Sequence, residues 1–118
     1  MRAAEYNLAA EQGATWRLPL AYRPAGGARV PLAGVPVRAQ VRRGSPAYPG
    51  AVVFDFAAAG ALDRTQEAAG VVALTLTAAQ AAALPAGTHC YDVFLDFAGV
   101  SVRVLAGFFE VAPRVTRP

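Results

Sequence analysis

Apolar side chains recur at every second position in several short segments of this chain, a spacing typical of β-strands that bury one face. The clearest cases are Trp16, Leu18 and Leu20 in segment 15–22, and Val37, Ala39 and Val41 in segment 37–42. Alanine is frequent in the sequence and by itself favours helices. Because the period of two persists despite that composition, strands are the predicted elements.

Four later segments are also predicted to be strands: 51–56, 71–76, 88–97 and 101–111. The first of them has Val52, Phe54 and Phe56 on one parity and is interpreted as a third core strand. In 88–97 the face expected to meet the core consists of His89, Tyr91, Val93 and Leu95, and the opposite face consists of Cys90, Asp92, Phe94 and Asp96.

Turn-forming residues separate the predicted strands. Ala25, Gly26 and Gly27 predict a tight turn that pairs 15–22 with a returning segment, 29–32, as a hairpin. Glycine and proline in 43–50 predict a loop, and Ala98 with Gly99 predicts the last turn. Segment 57–70 shows neither the strand period of two nor the helical period of 3.6 residues throughout, and it is expected to be a long connection.

One short helix is predicted after segment 71–76. Thr77 and Gln80 have the spacing of a capping box, in which each side chain bonds the other residue's backbone amide. Pro85 and Gly87 would end the helix after about two turns, which is too short for a main element of a fold. We expect a crossover between strands.

About seven short strands with one helical link and no strand–helix–strand repetition predict an all-β sandwich or barrel. The 118 residues suit one domain, and neither a repeat nor a linker divides them. We therefore expect a single domain over residues 1–118.

The basic charge of the chain does not indicate a nucleic-acid partner. All 11 Lys or Arg positions are arginine, and against 8 acidic residues they give a formal net charge of +3. Only Arg42 and Arg43 are adjacent. A phosphate-binding groove would need clustered basic residues alternating with aromatic ones. Segment 1–7 lacks the apolar run of a secretory signal, and no stretch is apolar over the length needed to span a bilayer. We expect synthesis in the cytoplasm and no membrane partner.

The residue inventory does not favour catalysis. His89 is the only histidine and Cys90 the only cysteine, so neither an internal disulfide nor a Cys/His metal cluster is expected. The two are adjacent on one strand, and their side chains should therefore point to opposite faces. A core histidine and a small buried thiol are favoured over a catalytic pair, and the chain is predicted not to be an enzyme.

Three carboxylates are candidates for an acid–base pair or a cation site. Asp92 and Asp96 share a face, with Asp55 near them, but four residues along a strand span roughly 13 Å. One ion cannot bridge that distance, so solvated charges on a strand face are favoured. No phosphate-binding glycine loop is present, Trp16 is assigned to the core, and no cofactor or metal is expected.

Phe94 and Phe108 are the candidate protein-binding residues. Phe94 has the parity opposite to Tyr91 and Val93, and Phe108 the parity opposite to Phe109. Both should therefore point outward on neighbouring strands, where exposed aromatic residues often mark a binding patch. The alternative is that the 57–70 connection covers this face.

Five short runs resemble, in order and spacing, a family of phage proteins. They are EQGATW (11–16), VPLAG (30–34), VRAQVRR (37–43), LPAGTHCYDV (84–93) and GFFEV (107–111). The family is the immunoglobulin-like N-terminal domain of the siphophage baseplate upper protein, with its short stand-alone phage and prophage relatives. Tyr91 is placed like the tyrosine near the start of a late strand in such sandwiches.

The resemblance implies an immunoglobulin-like β-sandwich of about seven strands. It also implies a non-enzymatic virion protein that docks on a larger tail, baseplate or capsid protein or associates with itself. The expected location is the virion, after synthesis in the bacterial host cytoplasm. An adhesion or carbohydrate-binding sandwich module is the alternative.

Overall fold

A computed structural model describes residues 4–24 and 27–116. Part of segment 1–7 and most of the predicted turn at Ala25, Gly26 and Gly27 lie outside the described residues. The elements are β1 (Ala4–Glu5), β2 (Leu8–Glu11), β3 (Trp16–Leu20), β4 (Val37–Ser45), β5 (Tyr48–Asp55), β6 (Leu62–Asp63), β7 (Val72–Leu76), α1 (Ala78–Ala83), β8 (Gly87–Phe97) and β9 (Val100–Ala112). No helix among the described residues is long and apolar enough to cross a membrane.

The larger sheet has six strands. Its order is β1-β9-β8-β4-β5, and β2 also pairs with β9. β1 and β2 run parallel to β9 and follow one another along its edge, whereas the β9–β8, β8–β4 and β4–β5 pairs are antiparallel. The alternation predicted for 37–42 is confirmed, because Val37, Ala39 and Val41 are buried.

The smaller sheet has the order β3-β7-β6 and packs against the larger one. In immunoglobulin-like domains strands B, D and E belong to one sheet and strands C, F and G to the other. Here β3, β6 and β7 take the places of B, D and E, and β4, β8 and β9 take those of C, F and G. The predicted all-β, immunoglobulin-like sandwich with one short helical crossover is confirmed.

Aromatic side chains occupy the centre of the core. Phe56 and Phe109 are fully buried, and the Trp16 ring lies between them, with centroid distances of 6.1 Å and 5.4 Å. The indole Nε1 of Trp16 donates a hydrogen bond to the Ala9 carbonyl at 3.1 Å. Trp16 thus packs against the core as assigned, although its side chain is only partly buried. Its indole nitrogen also connects β3 to β2.

Helix α1 begins as the sequence predicts. The Gln80 amide donates to Thr77 Oγ1 at 3.1 Å, and the Thr77 amide donates to Gln80 Oε1 at 2.9 Å. The helix ends at Ala83, before Pro85. It links β7 in the smaller sheet to β8 in the larger one, so the crossover is confirmed.

The predicted strand pairing of 15–22 with 29–32 is wrong, although one backbone hydrogen bond joins the two segments, from the Val30 amide to the Tyr22 carbonyl at 3.0 Å. β3 pairs with β7 instead, from Trp16 opposite Leu76 to Leu20 opposite Val72. Residues 29–32 form no strand and lie between the end of β3 in the smaller sheet and the start of β4 in the larger one. Arg64 holds the end of this crossing, since its Nη2 donates to the carbonyls of Leu32 and Val35 at 3.0 and 2.7 Å.

The predicted loop at 43–50 is mostly strand, and β4 and β5 form a hairpin with only Pro46 and Ala47 between them. Gly44 makes this possible, since its φ is +98° and a Cβ there would lie 2.5 Å from the Tyr48 carbonyl oxygen. A register shift beside Arg42 places Val52 opposite that residue. Val52, which the period of two predicts to face the core, is 46% exposed. Val53 is the extra residue in β5, and it shifts Val52 to the opposite face of the sheet.

The 57–70 connection is more ordered than predicted. It contains β6, which pairs with β7, and a 3₁₀ turn at Glu67–Ala69. β6 therefore belongs to the smaller sheet, whereas Ala57, at the start of the segment, lines a cleft beside Phe94 on the larger one.

Candidate functional site

The candidate site is the outer face of the larger sheet, defined as the side turned away from the smaller sheet. Strands β4, β8 and β9 supply its side chains because every second residue of each strand is committed to the core. Its main residues are Arg38, Gln40 and Arg42 from β4, Asp92, Phe94 and Asp96 from β8, and Ser101, Arg103 and Phe108 from β9.

A hydrogen-bonded ion pair occupies one end of the outer face. Arg38 Nε and Nη2 donate to the two carboxylate oxygens of Asp96 at 2.6 and 2.9 Å. Ser101 Oγ donates to the same carboxylate at 2.7 Å. The Arg38 hydrogen bond, followed by that of Ser101, lowers the pKa of Asp96 to about 2. Asp96 is therefore a fixed anion and unsuited to proton transfer near neutral pH.

Phe94 points to the outer face as predicted, but its ring is half-buried. Arg38 and Arg103 lie opposite it on the two neighbouring strands. The Arg38 guanidinium carbon is 4.7 Å from the ring centroid, a cation–π distance. One face of this ring is therefore already covered by the protein's own cation.

Phe108 is more open, with 40% of its surface exposed. It lines a cleft of about 620 Å³ together with Glu5, Asn7, Pro46 and Ala47, called here the Phe108 cleft. Asn7 Oδ1 accepts a hydrogen bond from the Phe108 amide at 3.1 Å, which fixes one wall of the cleft. Pro46 and Ala47, in the turn of the β4–β5 hairpin, contribute to another wall of the cleft.

The two phenylalanines do not form one aromatic patch. Phe108 lies opposite Cys90, four residues before Phe94 on β8, so the two are roughly 13 Å apart along the strand. Phe94 instead lines a separate cleft of about 320 Å³ with Arg38, Asp55 and Asp92. The outer face thus carries two separate aromatic positions.

His89 and Cys90 are both buried and project to opposite faces, as predicted. His89 Nε2 hydrogen-bonds the Pro85 carbonyl at 2.8 Å. Cys90 Sγ donates to the Arg42 carbonyl at 3.4 Å, and burial raises the pKa of its thiol. The thiol is on the outer face yet covered, with Pro46 and Pro49 sharing the small cleft above it.

The carboxylates are dispersed as the sequence suggests. Asp55 and Asp92 lie on either side of Gln40 in the sheet, and Gln40 Nε2 donates to Asp55 at 2.9 Å. The Ala58 amide is the main cause of the lowered pKa of Asp55. In residues 4–24 and 27–116, no three histidine, cysteine, aspartate or glutamate side chains are grouped so that they could hold a metal.

Tyr91 has a partner that its position in the sequence does not reveal. Its hydroxyl donates to the Tyr6 carbonyl at 2.5 Å, between β1 and β2. Burial raises the pKa of this hydroxyl to about 12. A tyrosine corner would bond backbone a few residues upstream. Here the bond joins residues far apart in the chain and anchors its N-terminal strands.

Sequence reasoning missed an apolar cleft of about 470 Å³ at the open side of the sandwich, between β3 and β9. This side cleft is lined mainly by Leu18, Leu20, Tyr22, Val102, Val104 and Leu105. The sequence contains one sign of this cleft: Val104 and Leu105 are consecutive apolar residues and so break the period of two. A bulge there turns both residues towards the cleft.

Comparison with known proteins gives few matches. No protein-family model matches the sequence. No curated protein matches it either. Among solved structures, the chain is similar to one titled "Tim-1", with 13% sequence identity over 99% of each chain and a TM-score of 0.38.

Proposed function

We propose that this chain is a non-enzymatic structural protein of a bacteriophage particle that docks on a larger virion protein through its outer face. The phage context rests on the five sequence runs that resemble the baseplate upper protein family. Phe108 carries the docking part of the proposal, since 40% of this large apolar side chain is exposed beside a cleft.

The energetics of such a contact favour Phe108 over Phe94. Full burial of a phenylalanine contributes about 1.5 to 3 kcal/mol before the ordering costs of association. Phe94 has less surface left to bury because Arg38 already covers one side of its ring. Phe108 is therefore the expected anchor, and Phe94 with its two arginines would form a polar rim.

Mass spectrometry of gradient-purified particles tests the virion assignment. We expect the protein to co-purify with the particles. Its absence from them, with the gene still required for phage growth, would indicate an assembly factor or a host-directed protein instead.

Particle occupancy of Phe108→Ser tests the docking surface. This change should lower occupancy, Phe94→Ser should lower it less, and Val115→Ser should leave it unchanged because Val115 is 97% exposed beyond β9. Full occupancy of the folded Phe108→Ser protein would exclude the Phe108 cleft as the attachment point.

A carbohydrate-binding module is the second candidate, and the Phe108 cleft is the observation that favours it. Glu5, Asn7 and Arg103 place polar groups beside an exposed aromatic ring in one concavity. Sugars bind to such combinations through hydrogen bonds and stacking on the ring. A glycan array separates the candidates, since a structural docking protein should bind no glycan and a module should bind a defined set.

A further inference from the structure

Asp92 is a half-buried carboxylate at the centre of the outer face. It lies on β8, the middle strand of the larger sheet, between Gln40 of β4 and Ala106 of β9. Asp92 belongs to none of the ion pairs of residues 4–24 and 27–116, which are Arg17–Asp63, Arg38–Asp96 and Arg64–Glu67. Its negative charge therefore has no paired cation in the described part of the chain.

The polar side chains of β4 beside Asp92 are bonded elsewhere. Gln40 Nε2 donates to Asp55 at 2.9 Å and not to Asp92. Arg42 donates to Gln40 Oε1 at 3.2 Å and to the Gly50 carbonyl at 2.9 Å. These donors are committed within the protein, so a partner of Asp92 has to come from another molecule.

Asp92 lies in the cleft of about 130 Å³ above Cys90, called here the Asp92 cleft. Ala106 borders both this cleft and the Phe108 cleft, so the two adjoin. Phe108 is two residues beyond Ala106 on β9, which makes it a diagonal neighbour of Asp92 at about 7 to 8 Å. A protein interface of ordinary size covers about 800 Å² of each partner. A partner that buries Phe108 therefore also covers Asp92.

Covering Asp92 places a chemical requirement on that partner. A carboxylate removed from water without a cation or donor is strongly unfavourable. A guanidinium can bond both carboxylate oxygens at once and suits this position better than an ammonium group. We propose that the outer face binds a protein segment that places an arginine in the Asp92 cleft and an apolar side chain against Phe108. This inference rests on the proposed docking through Phe108.

A short peptide provides the probe, because alternate residues of an extended chain lie about 7 Å apart on one side. We would titrate the purified full chain with acetyl-Ser-Arg-Thr-Leu-Ser-amide and follow the NMR chemical shifts of its backbone amides. Saturable shifts centred on Asp92, Ala106 and Phe108 are expected. Replacing the peptide's arginine with citrulline, which keeps the shape and removes the charge, should weaken binding about tenfold or more.

A double-mutant cycle tests whether Asp92 is the partner of that arginine. Asp92→Asn should weaken binding of the arginine peptide about tenfold and leave binding of the citrulline peptide unchanged. The matched control is Glu11→Gln, which removes the same charge from an exposed residue that lines neither cleft. It should bind both peptides like the unmodified chain. Both variants should keep the thermal midpoint of the unmodified chain, which separates binding from folding.

Three results would overturn the inference. The first is that no saturable binding occurs or that the arginine and citrulline peptides bind equally. The second is an equal loss for Asp92→Asn and Glu11→Gln, which would make net charge the cause. The third is a set of shifts at Asp92 and Ala106 that appears without peptide as protein concentration rises, which would make a second copy of the chain the occupant.

Particle occupancy separates this inference from the docking on which it rests. We expect Asp92→Asn to lower occupancy together with Phe108→Ser. If Phe108→Ser lowered occupancy and Asp92→Asn did not, docking through Phe108 would stand and the arginine requirement would fail. The peptide measurements use no phage particles, so they judge the Asp92 cleft even if the virion assignment is wrong.

Discussion

Phe108 and Phe109 are neighbours in sequence and lie in opposite environments, with 40% and 0% of their surfaces exposed. Replacing Phe109 with alanine removes a ring that contacts those of Trp16 and Tyr91. We expect this change to lower the free energy of unfolding by about 3 to 5 kcal/mol. Phe108→Ser should stay within about 0.5 kcal/mol of the unmodified chain in the same denaturant titration. Comparable losses for the two variants would show that the face assignment of β9 is wrong.

Asp96 should make folding stability depend on pH. Its pKa of about 2 in the folded chain, set mainly by Arg38 and then by Ser101, lies below the ordinary value near 3.9. Its contribution is therefore fully present above the ordinary value and is lost as the pH falls towards 2. Asp96→Asn should reduce the drop in thermal midpoint between pH 5 and pH 2.

The control for this pH dependence is Asp92→Asn, on the same face but outside the hydrogen bonds to Arg38 and Ser101. It should retain the acid sensitivity of the unmodified chain. Asp63, whose pKa is also about 2, has its own partners and remains in both variants. If the two substitutions reduced the acid sensitivity equally, the Arg38–Asp96 pair would not be its cause.

Among the elements, β1 and β2 depend on one glycine of β9. A Cβ at Gly107 would lie 2.6 Å from the Tyr6 carbonyl oxygen and 2.9 Å from Asn7 Oδ1. Gly107→Ala should therefore displace the backbone that accepts the Tyr91 hydrogen bond and cost about 1 to 3 kcal/mol. Hydrogen exchange should accelerate first in the amides of Leu8–Glu11. Unchanged exchange there would mean that the N-terminal strands tolerate the methyl group.

The elements also differ in how readily their sequences identify them. Helix α1 was predicted from Thr77 and Gln80 because a capping box joins residues three apart. The β4–β5 hairpin was missed because prolines and glycines usually mark loops, whereas here Gly44 permits a tight bulged pairing. The capping box thus has a specific side-chain signature, whereas glycine and proline occur both in loops and in tight hairpin turns and did not distinguish the two.

At the scale of the whole molecule, folding should need neither metal nor disulfide. The chain has one cysteine, and the described residues contain no group that could hold a metal ion. Far-UV circular dichroism should show a strand-dominated spectrum with a thermal midpoint unaffected by EDTA or reductant. A midpoint lowered by EDTA would reveal a metal site, and a helix-dominated spectrum would contradict the fold.

The sequence by itself determined the all-β class, the buried parity of β4 and β8, and the outward direction of Phe94 and Phe108. These follow from a period of two that each strand carries locally. Only the tertiary structure decided that β3 pairs with β7, that Phe94 lies under Arg38, and that the two phenylalanines are separate. It also created the side cleft, because strand partners and bulges depend on distant segments whose meeting no local pattern encodes.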